Sequence, residues 1–253
     1  MSALSSFLKH GPASLLRGLL DLALPPGCGA CGAPVEGEAA LCRGCDRALE
    51  RIPAGLCALC QAAPPSARGR RCAACRGVRA PLTACVAAAE FAGEVETWIH
   101  RFKYPARGIA GLDPAPLAVI RGLTREAALM APGAPELVVP IPLHPRRLRA
   151  RGFNPAAVLA RSLARELRAP FDPVALWRAR DTPSQTGLDR RERRRNVRGA
   201  FRARERARLP ACVWLVDDVV TTGSTLSEAA RALRRAGART VVGVCAARTP
   251  NPR

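Results

Sequence analysis

"VWLVDDVVTTGSTLSEAA", residues 213–230, runs from an apolar stretch into two adjacent carboxylates, then through small hydroxyl residues around one glycine, then into a helical pattern. The apolar run is short and rich in β-branched and aromatic residues, as a buried strand is. Leu226, Ala229, Ala230 and Leu233 share one helical face that Gly237 closes, and RTVVGVCAA (239–247) returns as a further strand. Strand, helix, strand in this rhythm predicts an α/β fold on a parallel sheet, whose ligands bind beyond the carboxyl ends of the strands. Asp217 and Asp218 are therefore expected at a strand end. Thr221, Thr222, Gly223, Ser224 and Thr225 would wrap the N-terminus of the following helix, where backbone N–H groups, hydroxyls and the dipole suit a phosphate. A Walker loop would need a lysine after its glycine, and none is here. Acids beside a phosphate cup suit a sugar phosphate, with the carboxylates accepting from a ribose diol. A local reading stands beside this one: Thr225 and Glu228 have capping-box spacing, which explains the helix start and leaves the paired acids unexplained.

Working outward, ELVVPI (136–141) reads as a strand. PAAVLARSLARELR (155–168) reads as a helix with Asn154 as N-cap and Pro155 in its first position. WIHRFKY (98–104) has the spacing of an amphipathic helix with Trp98, Ile99 and Phe102 on its apolar side. With 48% apolar residues, a chain of 253 can bury one good core and a small appended module. No run of about 18 uncharged apolar residues exists. The first residues are broken by Lys9, His10, Pro12, Arg17 and Asp21, so a cytoplasmic protein is expected. Residues 14–24 could form a short amphipathic helix that docks on the protein or touches a membrane surface.

The net charge is +20, and 19 arginines face six acids between Arg146 and Arg208. Such a segment should attract polyanions. Only Lys9 and Lys103 are lysine, so many of these arginines could instead be ordinary solvated positions.

Eight of eleven cysteines form four CxxC pairs: Cys28 and Cys31, Cys42 and Cys45, Cys57 and Cys60, Cys72 and Cys75. The intervals between pairs are nearly equal, an internal repeat of knuckles. Two knuckles supply the four thiolates of a structural zinc, so two zincs are expected. Sequential sharing, first pair with second and third with fourth, closes the shortest loops. A disulfide framework would also use an even count, but no export signal supports it. Four thiolates leave zinc no open position, so the metal's role is structural. Cys85, Cys212 and Cys245 sit in apolar, strand-like surroundings and read as core.

LVDDVVTTGST resembles the motif by which type I phosphoribosyltransferases bind 5-phosphoribosyl 1-pyrophosphate (PRPP). Together with VVPIPLHPRRLRARGFNPAA, RDTPSQTGLDRRERRRNVRGAF and the cysteine module, it makes roughly residues 28–250 similar to the ComF family of competence-associated phosphoribosyltransferase-like proteins. The resemblance implies an α/β, type I phosphoribosyltransferase-like parallel sheet with an N-terminal double zinc-ribbon module. The corresponding domains are an amphipathic segment at 1–27, the zinc ribbons at 28–79 and the phosphoribosyltransferase-like domain at 80–253. It implies that Asp217 and Asp218 hold the ribose hydroxyls and steady the reacting sugar, and that residues 221–225 hold the 5′-phosphate. His144, Arg146, Arg147 and Arg151, with Arg149, would form a pyrophosphate loop, since forked guanidiniums match phosphate oxygens. Residues 180–198 resemble the loop that closes over PRPP, with Gln185, Arg190, Arg193 and Asn196 as its first candidates, and Lys103 would lie near the pocket. Magnesium would accompany the pyrophosphate. The implied role is PRPP binding in the uptake or processing of single-stranded DNA, in contact with nucleic acid and with membrane or uptake machinery. Two alternatives stay open: a non-enzymatic zinc-ribbon module that binds nucleic acid, and a metabolic phosphoribosyltransferase whose acceptor is not legible.

Overall fold

The computed structural model describes residues 27–35, 39–66, 69–105, 113–183, 189–204 and 209–250, and for Arg190 the backbone alone. The segment at 14–24 and Gln185 lie outside the described residues. The chain forms two compact units, Met1–Ala48 and Leu49–Arg253. The first carries Cys28 to Cys45 and the short helix α1 (Arg43–Arg47). The second carries the remaining cysteine pairs together with the whole sheet.

Within the second unit, α2 (Ala73–Arg76) precedes β1 (Ala84–Glu90), α3 (Gly93–Lys103), α4 (Pro114–Leu129) and β2 (Leu137–Pro140). Next come α5 (Pro145–Arg151), α6 (Pro155–Leu167), β3 (Leu176–Arg178), α7 (Arg190–Val197) and β4 (Phe201–Ala203). The chain then gives β5 (Cys212–Val220), α8 (Ser224–Arg235) and β6 (Thr240–Arg248). Strands β1, β6, β5 and β2 lie in that order and all pair in parallel, while β3 and β4 form a separate antiparallel pair. The expected parallel α/β sheet, with its cysteine-ruled segment, is what the chain builds.

β5 is buried on both sides, which is why it reads as a near-continuous apolar run. Val213 and Leu215 point to the face where Leu226, Ala229, Ala230 and Leu233 of α8 pack. The opposite face is covered by α4 over β1 and β6 and by α6 over β2 and β5. Gly243 lets α8 approach β6, since a Cβ there would stand 3.4 Å from Leu226 Cδ1 and 3.3 Å from Cys85 Sγ. Asn154 caps α6, its Oδ1 accepting from Ala156 N at 3.1 Å, with Pro155 in the first turn as the sequence predicts. Trp98, Ile99 and Phe102 of α3 are buried, and so are Cys85 and Cys245; Cys212 is half-buried.

One expectation is corrected, and the alternative local reading of the helix start falls. β5 does not stop at Asp218 but pairs with β6 as far as Val220↔Arg248, whereas its pairing with β2 ends at Val216. The acids are thus on an overhang of the sheet rather than at its last residue. Nor do Thr225 and Glu228 make a capping box: α8 starts at Ser224 behind Gly223, and Glu228 instead accepts from Gly199 N at 2.9 Å and Arg231 Nη1 at 2.6 Å.

β1 is an edge of the sheet, and an open edge is a hazard that proteins cover. Here the second cysteine segment covers it. Ile52 N donates to Ala88 O at 2.8 Å, Cys85 N to Ala58 O at 2.7 Å and Glu90 N to Glu50 O at 2.8 Å. Gln61 completes the seam with its side chain, accepting from Ala87 N at 2.8 Å and donating to Ala87 O at 3.0 Å.

Candidate functional site

The overhang of β5 sets the site. Side chains alternate along a strand, so Asp217 and Asp218 face opposite sides of the sheet. Asp218 is buried and meets Lys103 Nζ, at the end of α3, at 3.0 Å. Burial works against the Lys103 charge, but the Asp218 carboxylate outweighs it and holds the lysine above its ordinary pKa. Removing one partner of such a pair would leave the other charge buried and alone. Asp217 is raised to about 7, first by burial and then by the neighbouring Asp218; the charges of Lys103 and Arg178 and the 3.0 Å bond from Asp218 N oppose the rise. One acid is therefore committed to a lysine while the other titrates near neutrality.

Beyond Val220 the chain turns through Thr221 and Thr222 into Gly223, whose φ of +70° is reached without strain only by glycine. That turn aims the chain into α8, where Gly223 offers no capping side chain and Thr222 Oγ1 accepts from Ser224 N at 3.4 Å. Thr222 Oγ1 and Ser224 Oγ are 2.7 Å apart, so the hydroxyls cluster at the helix start. Clustered hydroxyls and the positive end of a twelve-residue helix together suit a phosphate.

The arginines expected to form a loop after β2 lie on a helix, α5, capped by His144 and ended by Gly152 at φ +81°. Helical spacing puts Arg147 and Arg151 on one face. Arg147 donates to Thr182 O at 2.6 Å, and the Arg151 guanidinium lies 4.7 Å from the centre of the Tyr104 ring. Arg146 and Arg149 are exposed. His144 Nδ1 accepts from Arg146 N at 3.3 Å and stands 3.6 Å from Asp181 Oδ1. The bases of the 180–198 segment are joined: Arg180 donates to Asn196 O at 2.9 Å and Arg198 O at 2.7 Å, and Asn196 Nδ2 to Pro183 O at 3.1 Å. α7 fills its second half, with Asp189 and Glu192 in a reciprocal capping box. Arg190 is its first residue, and half-buried Arg193 follows one turn later, on the side of α7 that lines a cavity with Thr221, Thr222 and Gly223.

Arg178 is a member of the site that sequence reasoning missed. It is buried on β3, bonded to Thr182 Oγ1, with its Nε unpartnered and its guanidinium 5.4 Å from the centre of the Phe201 ring. Burial and the charge of Arg147 lower its pKa, and the Asp217 and Asp181 charges oppose that. Nothing in LWR (176–178) distinguishes this arginine from its many neighbours; only the pairing of β3 with β4 buries it.

The cysteines gather as the sequential reading expects: Cys28, Cys31, Cys42 and Cys45 in one cluster and Cys57, Cys60, Cys72 and Cys75 in another, each with its sulfurs within 4.8 Å of one another. Cys31 Sγ and Cys42 Sγ are 3.7 Å apart, as are Cys60 Sγ and Cys72 Sγ. A tetrahedron of sulfurs about 2.3 Å from zinc has edges of about 3.8 Å, so the donor sets fit the ion. Burial alone would raise the Cys28 and Cys57 thiols, yet backbone N–H groups, chiefly of Cys31 and Cys42 for one and of Cys60 and Cys72 for the other, bring both down to about 6. The chain's own amides thus favour the thiolate at these two positions, whereas the neighbouring cysteines raise Cys45 and burial raises Cys60 and Cys75.

Among the described residues no helix is long and apolar enough to cross a membrane.

Residues 19–86 match the double zinc ribbon domain. The chain is 34% identical over 234 residues to DNA utilization protein YhgH of Escherichia coli O157:H7, covering 90% of this chain and 99% of that one. It is 41% identical over 105 residues to competence protein F of Haemophilus influenzae, covering 41% of this chain and 46% of that protein. Among solved structures, the glutamine PRPP amidotransferase of B. subtilis complexed with ADP and GMP aligns at 21% identity and a TM-score of 0.37 over 56% of this chain; the chain spans 29% of that enzyme. By its full-length likeness to the DNA utilization proteins and its paired zinc-ribbon cysteines, this chain belongs to the ComF family.

Proposed function

We propose that this protein binds PRPP at the turn after β5 and engages single-stranded DNA along its arginine-lined surface. The observation that carries the first half is the conjunction at one end of the sheet of an acid pair, a hydroxyl-lined helix start behind Gly223, and cations from three other elements: Lys103, Arg147 and Arg178. A ribose 5-phosphate needs both an anion cup and diol acceptors; the Asp217 and Asp218 carboxylates supply the acceptors and residues 221–225 the cup. The cations of α5 and β3 suit a pyrophosphate, which brings magnesium with it and so delivers to the site a ligand already partly neutralised. Support for the second half comes from the named relatives, described as DNA utilization and competence proteins, and from a cavity of about 650 Å³ beside α8. Arg79, Arg194, Arg198, Arg231 and Arg235 line it, with Glu228 as the one acid.

Thermal unfolding with PRPP and magnesium tests the first half. Ligand at 100 times its dissociation constant stabilises the native chain by about 2.7 kcal/mol. We expect that gain in the wild type and its loss in Asp217→Ala/Asp218→Ala. A wild-type melting temperature that PRPP leaves unmoved defeats the reading, and retention of DNA binding by the double variant would show that the two ligands use separate surfaces.

A further inference from the structure

β3 carries the one tryptophan that reaches solvent. Trp98 and Trp214 are 1% and 2% exposed, whereas Trp177, at the middle of the strand, is 46% exposed. Alternation sets its direction: Leu176 and Arg178 on either side of it are buried, so Trp177 faces outward. Arg202 is its direct partner on β4 and is itself exposed, and directly opposed residues of an antiparallel pair share a face. Arg204, two residues further along, is exposed on the same side, its amide donating to Ala175 O at 2.9 Å. Among the described residues none of these three side chains makes a hydrogen bond, ion pair or ring contact. The acids flanking β3 are engaged elsewhere: Asp172 Oδ1 accepts from Val174 N at 2.8 Å, and Asp181 faces His144 and Arg146.

The position of this pair in the molecule selects its ligand. Arg180, two residues beyond β3, donates to Asn196 O and Arg198 O and so fastens the pair to the end of α7. Arg198 lines the arginine-rich cavity beside α8 and stands four residues before Arg202, so the two lie within about 14 Å along the chain. An open indole face takes a flat ring, and forked guanidiniums beside it take phosphate oxygens. An acidic peptide would answer the charge alone, whereas one polyanion with planar bases answers both and spans from the cavity to the hairpin. We propose that Trp177 is a stacking platform for a base of single-stranded nucleic acid, with Arg202 and Arg204 on the flanking phosphates. The inference rests on the reading that a strand lies along the arginine-lined surface beside α8, and adds where that strand continues and what holds its bases. Every base has a π face, so the platform accepts any sequence, and it requires bases that are not already stacked in a duplex.

With the other two tryptophans buried, emission from the full zinc-loaded chain that changes on binding reports on Trp177. Titration with oligothymidylate at low salt should quench it. Trp177→Ala should weaken binding about fivefold or more and leave the salt slope unchanged, while Trp177→Phe, which keeps a π face, retains most of the affinity. Arg202→Ala should instead lower the slope by about 0.7. A strand of equal length with abasic sites in place of bases should bind the wild type more weakly than oligothymidylate does, and Trp177→Ala should no longer tell the two apart. Emission that the strand leaves unmoved, or a Trp177→Ala affinity equal to wild type, overturns the inference alone, and so does quenching by an acidic peptide but not by the strand. Absence of any strand binding at low salt overturns the reading of the arginine-lined surface with it.

Discussion

Gln61 holds the turn position that Gly32 holds in the first cysteine segment: each amide donates back to the carbonyl of the cysteine four residues earlier, at 2.9 Å, and each residue has positive φ, +50° and +74°. Glycine tolerates this conformation, whereas a side chain pays about 1–2 kcal/mol for it. The two bonds that Gln61 makes to Ala87 offset that strain, so the departure from the repeat marks where the second segment is docked on the sheet. Gln61→Gly should therefore destabilise the chain by about 1–3 kcal/mol in chemical denaturation although it relieves the backbone. A variant as stable as wild type would mean the docking bonds contribute nothing. Asp217 poses the opposite case, a residue whose charge opposes folding. Its folded-state pKa of about 7 lies above the ordinary 3.8, so the folded chain binds the proton more tightly. The associated stability is fully present below about pH 4 and is lost as pH rises through 7. Asp217→Asn should thus raise the melting temperature more at pH 8 than at pH 5 while weakening PRPP binding. An equal gain at both pH values would show that Asp217 is ionised throughout. The acid pair was legible as a sequence motif, but its division between a lysine-bound member and a near-neutral one was not, because it depends on which side of β5 each acid faces.

At the scale of elements, local signals predicted what local physics governs. Asn154 followed by Pro155 carries its own helix start, and the apolar faces of α6 and α8 state their period. α5 left no such signal: five of its seven residues are proline or arginine, and none is buried. It forms because His144 and Pro145 start it and Gly152 ends it, and this turns an expected loop of arginines into one face that reaches Thr182 and Tyr104 and another that faces solvent. The same holds for β1, whose apolar run gives no hint that its free edge is closed by a cysteine segment. That closure makes a prediction about metal. Chelation of zinc should release the Cys57–Cys75 segment and raise amide hydrogen exchange at Cys85 and Ala87, which donate to that segment, before it does so in β5 at the centre of the sheet. Unchanged protection at Cys85 and Ala87 after full loss of zinc would mean the edge holds without the metal.

For the whole molecule the governing quantity is charge. Arginines that are scattered along the sequence, at 79, 194, 198, 231 and 235, converge beside α8 because α7, the linker before β1 and α8 meet there. Binding of a single strand along that groove should weaken steeply with salt, with a log–log slope of about −0.7 per phosphate contact. Arg231→Ala/Arg235→Ala should flatten that slope by up to about 1.4 and weaken binding alike for every base sequence. A slope and affinity equal to wild type would place the strand elsewhere. What the sequence by itself determined is everything that repeats or punctuates locally: four knuckles, a strand running into two acids, a hydroxyl turn and a net charge of +20. Ligand spacing, strand period and capping act over a few residues, so they can be read without a fold. Only the tertiary structure decided that Lys103 answers Asp218, that Arg178 is buried, and that Gln61 fastens a cysteine segment to the sheet edge. Each of those depends on contacts between elements far apart in the chain, where burial and the direction of a side chain, rather than its identity, set its charge and its partner.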